Sequence, residues 1–424
     1  MKLLIKNGHL VDPENNLDEV LDILIEDTKI SRVAPAITED ADEVIDAKDK
    51  IVMPGIVDMH VHLREPGRED KETIYTGTKA ALKGGVTSVL AMPNTEPAID
   101  SPENIRLLKD IIRHNAQIAV FICGAITKGR LGQELTDIAL MKKEGILAIS
   151  DDGFSVDSEK LFFEALKKAR RHKVLVIAHC EDKALSKDGV VNLGFTSTRM
   201  GLRGISKESE YTRVKRDINL AEKAGCPIHI AHLSCKESVE IVASAKKRGL
   251  KVTCEVTPHH LSLTEEAVLG YDTNMKINPP LRSKEDVEAI KQGLALGVID
   301  VIASDHAPHT ESEKDIEFER AEFGVIGLET ELAVAITELV LPGILTWKQL
   351  VEKFCLNPAR ILNINKGTLS VGADADVAIV DPKKTWKVVK EEIASKSKNS
   401  AFLERTLTGK LLYTIYAGRI LYHG

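Results

Sequence analysis

The sequence predicts an α/β barrel flanked by a small β domain that both chain ends build. Three observations carry that reading. The chain has 424 residues, 43% of them hydrophobic, more than one ordinary core of about 100–150 residues holds and enough for a barrel of about 250 plus a satellite. From about Ile51 to Lys366, short apolar runs alternate with amphipathic stretches, the pattern of βα units on a parallel sheet. On either side of that region the sequence changes to strands and turns.

Taken in order, KLLIKNGHLVD, LDILIEDTKISRVAP and EVIDAKDKIVM carry alternating or β-branched apolar residues broken by Asn-Gly and Asp, and read as short strands and turns. The apolar runs GIVDMHVHL, TSVLAMPN, AVFICGAIT, ILAISDDG, VLVIAHCED, IHIAHLS, KVTCEVTPH and VIDVIASDHAPH follow. Eight such strands closing on themselves make a barrel. SPENIRLLKDIIRHN and KESVEIVASAKKRG between them are helical, and the basic run Lys167 to Arg171 is the solvated face of a helix. After Lys366, LSVGADADVAIVDP, KTWKVV and TGKLLYTIYAGRILYHG return to alternation with Gly turns, while KSKNS near Ser395 is a loop. The expected division is 1–51 and 366–424 for the β domain and 52–365 for the barrel.

Composition narrows the function. The net charge of −7 carries no basic surplus or stripe, against a nucleic-acid partner. No apolar run approaches the ~20 residues of a membrane helix, so a soluble protein is expected. The N-terminus meets charge too early for a secretory signal. Six scattered cysteines without a CxxC pair then read as reduced thiols in a cytoplasmic protein. No GxxxxGK[ST] loop supports a nucleoside triphosphate.

Every polar cluster of interest ends an apolar run, where a parallel barrel carries its catalytic groups. His60 and His62 are two apart on a strand end, so both imidazoles reach one face and one metal. His179 and His232 end two further runs and project into the same mouth; His229, three residues before His232, falls on the opposite face by alternation and is structural. Asp305, with His306 and His309 close behind, can bind a metal through one oxygen and move a proton with the other. Asp151-Asp152-Gly153 is ordinary turn chemistry as much as a ligand source; one carboxylate of the pair can bridge two metals while the other points away.

Nitrogen and oxygen ligands without thiolate fit zinc, with manganese, cobalt or iron also compatible. Two metals about 3.5–4 Å apart would activate water and polarise a carbonyl, which suits hydrolysis of an amide-like bond. Arg64, two residues past His62, is as compatible with a solvated loop as with the rim of a site. If it faces the metals, its partner is a carboxylate or phosphate, hence an anionic substrate. Asn94 and Asn278 sit beside prolines, where turn chemistry alone explains them. Cys180 is a small buried thiol rather than a nucleophile.

Together, PGIVDMHVHLREPG, AMPNTEPAID, GAITKGRLGQEL, SDDG, AHCED, IAHLS, EVTPHHL, KINPPLR, ASDHAPH and GTLSVGADADVAIVDP resemble the dihydroorotases, in the cyclic-amidohydrolase branch of the metal-dependent amidohydrolases. The likeness covers almost the whole chain. It implies a distorted (β/α)8 barrel with a β-sandwich from both termini, two Zn2+ per chain, and interconversion of N-carbamoyl-L-aspartate with (S)-dihydroorotate in pyrimidine biosynthesis. By motif, His60, His62 and Asp305 would hold one zinc and His179 and His232 the other. Asp152 would bridge them, with Asp151 as runner-up, where many relatives use a carboxylated lysine. Asp305 would carry the proton. Substrate contacts would fall on His62, Arg64, Asn94, Asn278, His309 and the backbone of Phe323 and Gly324. The resemblance also implies a homodimer or a complex with aspartate transcarbamoylase. Two alternatives stand beside it: an allantoinase or hydantoinase, and a non-catalytic partner of the transcarbamoylase.

Overall fold

A computed structural model describes residues 1–424. Eight parallel strands follow one another around a barrel in chain order. They are β1 Ile56–Val61, β2 Val86–Ala91, β3 Ala119–Gly124, β4 Ala148–Ile149, β5 Leu175–Ala178, β6 Ile228–Ile230, β7 Val252–Val256 and β8 Val301–Ile302. The ring closes where the end of β1 meets the segment after β8: Val61 bridges His306, and the His62 N–H donates to the His306 carbonyl at 2.9 Å. Asp58 strengthens that seam by accepting from the backbone N–H groups of His60 and Ser304 and from the Ser304 hydroxyl.

The helices outside the barrel start and stop where local chemistry dictates. Ile74–Gly84 begins at Thr73, whose hydroxyl accepts from the Thr76 N–H, and ends at Gly85 in the left-handed region at φ 84°, a conformation that costs glycine little. Pro102–Asn115 is capped by Ser101 with Pro at its first turn. Glu159–His172 buries Phe162, Ala165, Leu166 and Ala169 and turns Lys167, Lys168, Arg170 and Arg171 to solvent, so the basic run is a solvated helix face whose charge also suits the helix C-terminus.

Both chain ends enter one further sheet. Its order is Arg419–His423, Thr406–Tyr416, Val377–Lys387, Ile51–Pro54, Lys2–Asp12, Leu17–Glu26 and Lys29–Ala34, with Glu43–Asp46 also paired to Lys2–Asp12. Ile51–Pro54 joins the N-terminal strands to the C-terminal ones, parallel on one side and antiparallel on the other. Leu3, Ile5, Leu10, Ile23, Val377 and Ile415 pack a separate apolar cluster there. All six cysteines are buried and unpaired. No helix is long and apolar enough to cross a membrane.

The KSKNS run is irregular, as a loop should be, yet it is not a solvated one. Ser395, Ser397, Asn399 and Ser400 are buried, because their polar groups pair with the barrel rather than with water.

Candidate active site

The strand ends place their side chains with two departures from plain alternation. In β1 the register slips between Asp58 and Val61, so three residues span what two span on β2. This bulge puts Met59 in the interior cluster and still brings His60 and His62 inward, where their Nε2 atoms reach the same carboxylates. The second departure is His232, at φ 30°. A positive φ is rare outside glycine, and here it ends β6 and turns the imidazole into the mouth. Alternation therefore does not separate His229 from His232. The expectation that His229 faces the other side is corrected: His229 Nε2 lies 3.1 Å from Glu255 Oε2, and the His232 N–H approaches Glu255 Oε1 at 3.4 Å.

Four histidines surround Asp152. His60 Nε2 lies 3.4 Å from Asp152 Oδ1 and 3.6 Å from Asp305 Oδ1; His62 Nε2 lies 3.4 Å from Asp152 Oδ2 and 3.0 Å from Asp305 Oδ1. On the other side, His179 Nδ1 and His232 Nε2 each lie 3.6 Å from Asp152 Oδ1. The two carboxylates of the SDDG turn have different environments. Asp151 accepts from the Ile126 and Thr127 N–H groups and the Thr127 hydroxyl, so it ties the turn to the preceding loop.

The outer nitrogens decide what the inner ones can do. His60 Nδ1 is 2.5 Å from Glu255 Oε1, His62 Nδ1 is 2.8 Å from Asn94 Oδ1, and His179 Nε2 is 3.3 Å from Glu181 Oε2. Each of these oxygens accepts an N–H hydrogen bond, so in the neutral ring the nitrogen facing Asp152 offers its lone pair to a metal. His179 Nδ1 and His232 Nε2 lie 2.9 Å apart, within hydrogen-bond distance of each other, and both are turned toward Asp152. His60 Nε2 and Asp152 Oδ1 are buried and have no hydrogen-bond partner. The donor set therefore fits divalent metal: two groups, His60 with Asp152 and His232, and His60 with His62 and Asp305, converge closely enough to hold an ion.

The electrostatics agree. Burial alone would depress the His60 imidazole, but the carboxylates of Glu255, Asp152 and Asp305 together raise its pKa well above the ordinary value. His179 is likewise raised, to about 9, against burial by Asp152 and Glu181. Glu255, despite its burial, is held down at about 2 by His60 and His229, and Asp152 and Asp305 lie below the usual carboxylate range for the same reason. The cluster is a nest of anionic oxygens and lone pairs that favours positive charge.

A cavity of about 360 Å³ opens above the cluster, and His62, Arg64, Asn94, Asn278, His309, Phe323 and Gly324 all line it. Arg64 is buried and has no carboxylate partner; its Nε donates to the Pro308 carbonyl at 3.1 Å. Burial lowers its pKa to about 10, so it stays charged at neutral pH. His309 is held neutral by burial and by Arg64, Lys71 and Lys314. Lys71 donates to its Nδ1 at 3.1 Å, so Nε2 carries the hydrogen and donates to the Phe323 carbonyl at 2.8 Å. Arg64 Nη2, 3.3 Å from that Nε2, finds no lone pair there and is left for another acceptor.

Several residues that bear on the site escaped the sequence reading. Glu255 ends an apolar run just as the histidines do, and that same signal would have found it. Glu181 links His179, Lys183 and Asn278. Arg130 donates to the Asp152 carbonyl at 2.6 Å and lies 5.3 Å from the Phe154 ring centroid. Lys314 donates to the carbonyls of Glu322 and Gly324. No local pattern marks the last two.

A barrel whose strand ends gather histidines and carboxylates into a metal-type cluster defines the amidohydrolase class. In structure the chain is similar to the L-hydantoinase (dihydropyrimidinase) of Arthrobacter aurescens, with TM-score 0.90 and 27% identity over 99% of this chain and 96% of that one. It is similar also to a Thermus D-hydantoinase (dihydropyrimidinase), with TM-score 0.87 and 25% identity over 99% and 95%. In sequence, residues 49–238 match the model of the dihydro-orotase-like family. The chain is 52% identical to the dihydroorotase of Elusimicrobium minutum over 99% of its own length and 97% of the relative's, and 51% identical to that of Pelotomaculum thermopropionicum over 99% and 98%. The chain belongs to the dihydroorotase family.

Proposed function

We propose that this chain interconverts (S)-dihydroorotate and N-carbamoyl-L-aspartate, with two Zn2+ held by His60, His62, Asp152, His179, His232 and Asp305. The observation that carries the anionic substrate is Arg64, a buried cation with no protein counter-ion at the rim of the cluster. A buried charge without a partner is costly, and a substrate carboxylate would supply the partner in bidentate geometry. When bound, the metal would supply Lewis acidity, polarising a carbonyl and lowering the pKa of water.

The chain's own groups then divide the work. Arg64 and the Asn94 side-chain N–H, free because Asn94 Oδ1 is engaged by His62, orient the substrate carboxylate. Asn278 and the Phe323–Gly324 backbone face the ring amide. His309, neutral and fixed in one tautomer, shapes the carboxylate pocket. Asp305 meets His62 through Oδ1 and keeps Oδ2 for the proton. In ring opening it accepts the proton of the attacking water and delivers it to the leaving ring nitrogen; in ring closure it removes the proton from the carbamoyl nitrogen. Asp152 would help hold the metal where many relatives use a carboxylated lysine.

Hydantoin opening is the second reading, favoured by the structural likeness to hydantoinases. A neutral hydantoin would leave Arg64 unpaired, at about 1–3 kcal/mol. We further propose a cytoplasmic enzyme acting as a homodimer or with aspartate transcarbamoylase. An assay of zinc-loaded protein with dihydroorotate, allantoin and hydantoin side by side, with metal content measured, tests the reaction. Turnover of dihydroorotate alone is expected. Turnover of a five-membered ring instead would overturn the role given to Arg64, and none at all with metal bound would favour a non-catalytic subunit.

A further inference from the structure

The geometry points to Asn399 as a positioning residue for the substrate pocket: it sets where His309 and Gly324 stand. The inference rests on reading His309 and the Phe323–Gly324 backbone as substrate contacts. Asn399 comes from the buried KSKNS run, 90 residues beyond His309 and 75 beyond Gly324 in the chain. Its side chain uses both donors and its acceptor. Oδ1 accepts from the His309 N–H at 3.1 Å, and Nδ2 donates to the Ala307 carbonyl at 3.2 Å and the Gly324 carbonyl at 3.1 Å. Its own carbonyl accepts from the Ile326 N–H at 3.0 Å.

One amide thus ties the loop after β8, which carries His309, to the separate loop that carries Gly324. The two segments meet at the His309 Nε2–Phe323 carbonyl bond, and both line the cavity above the cluster. The residues around Asn399 brace the same region. The Ser395 hydroxyl and the Lys396 N–H donate to Glu72, whose Oε2 also faces His306 Nε2 at 3.3 Å. The Ser397 hydroxyl donates to the Lys71 carbonyl at 2.6 Å, and Lys71 Nζ fixes the His309 tautomer. Lys314 and Asn399 share the Gly324 carbonyl. Only a primary amide satisfies this arrangement: a carboxylate would place charge against two carbonyl oxygens, and an apolar side chain would orphan the His309 N–H and the Ala307 carbonyl, leaving the Gly324 carbonyl to Lys314 alone. Asn399 lines no part of the cavity above the metal-type cluster, so it acts through the loops and not by touching substrate.

The test uses the full-length, metal-loaded enzyme with Asn399→Ala and the isosteric Asn399→Asp, which keeps the acceptor and loses both donors. Each should raise KM for dihydroorotate about tenfold, the worth of one misplaced hydrogen bond, with kcat within about threefold and metal content unchanged. In a His309→Ala background the Asn399→Ala effect on KM should largely vanish, because the two changes act on one contact. A lowered Tm with unchanged KM, or additive effects in the cycle, would overturn the proposal. If the parent enzyme does not turn over dihydroorotate, the functional reading fails by itself. A crystal structure of Asn399→Ala, or of Asn399→Asp should the first not fold, then decides: displaced His309 and Gly324 loops support the brace, and loops in their original positions overturn it.

Discussion

His60 and Glu255 meet at 2.5 Å, Nδ1 to Oε1, with both side chains fully buried. Glu255 also holds His229 through its second oxygen, and His229 Nδ1 is in turn 2.8 Å from the Thr253 hydroxyl. The chain Thr253–His229–Glu255–His60 runs from β7 to β6, back to β7 and on to β1. It fixes the His60 ring and makes its Nε2 more basic toward the cluster.

Glu255→Gln should therefore weaken metal binding by about 10–100-fold, the usual effect of losing a carboxylate behind a ligating histidine. Competition with a metal-buffering chelator reads this directly. Unaltered affinity would show that the pair serves packing alone. Chelation of the parent protein should abolish turnover and lower Tm, because the lone pairs around Asp152 then face one another without a cation.

Asp305→Asn should keep the fold and the melting temperature within a few degrees and cut turnover by about 10²–10⁴-fold, the usual contribution of a positioned acid–base group. Circular dichroism and steady-state rates on the same preparation separate the two effects. Near-normal turnover would remove Asp305 from the proton path.

Arg64→Gln tests the substrate's charge. Loss of a charge-assisted contact of about 1.5–3 kcal/mol should lower kcat/KM for dihydroorotate by roughly 10–150-fold. Activity on a neutral cyclic ureide should not fall in parallel. Equal losses on both substrates would mean that Arg64 holds the loop at Pro308 and recognises nothing.

Glu331 gives a pH prediction away from the site. It is fully buried on the helix Glu331–Ala335, and neither of its carboxylate oxygens has a partner. Burial, with a smaller contribution from the Asp58 charge, raises its pKa well above the ordinary 4.5. The folded chain thus keeps a proton that the unfolded chain releases. Stability from this group is complete below about pH 4.5 and falls as pH rises toward the folded pKa, by about 1.4 kcal/mol per unit. Glu331→Gln removes that slope. The Tm of the variant should rise relative to the parent as pH increases from 5 to 8, and a constant difference across that range would contradict the assignment.

Much of this protein is legible in its sequence because period and strand-end position are local properties. The eight apolar runs become the eight barrel strands, and the alternating ends of the chain become the added sheet, since burial of a period-two or period-3.6 face leaves few other solutions. The ligand-type residues His60, His62, His179, His232 and Asp305 all stand at strand ends in the sequence, and the fold gathers them into one cluster.

What only the tertiary structure decided lies where period fails or where partners are distant. Asp151 and Asp152 are neighbours in the chain, and spacing does not choose between them. The choice comes from the Ile126 and Thr127 N–H groups that claim Asp151 and leave Asp152 to the histidines. The β1 bulge and the positive φ of His232 re-aim side chains that strict alternation would misplace, because each depends on hydrogen bonds from neighbouring strands. Asn399 sits in a run whose composition says loop, and its burial follows from acceptors and donors more than 70 residues away. The sequence by itself determined the barrel and the kinds of group at its mouth; long-range hydrogen bonding decided which of them face one another.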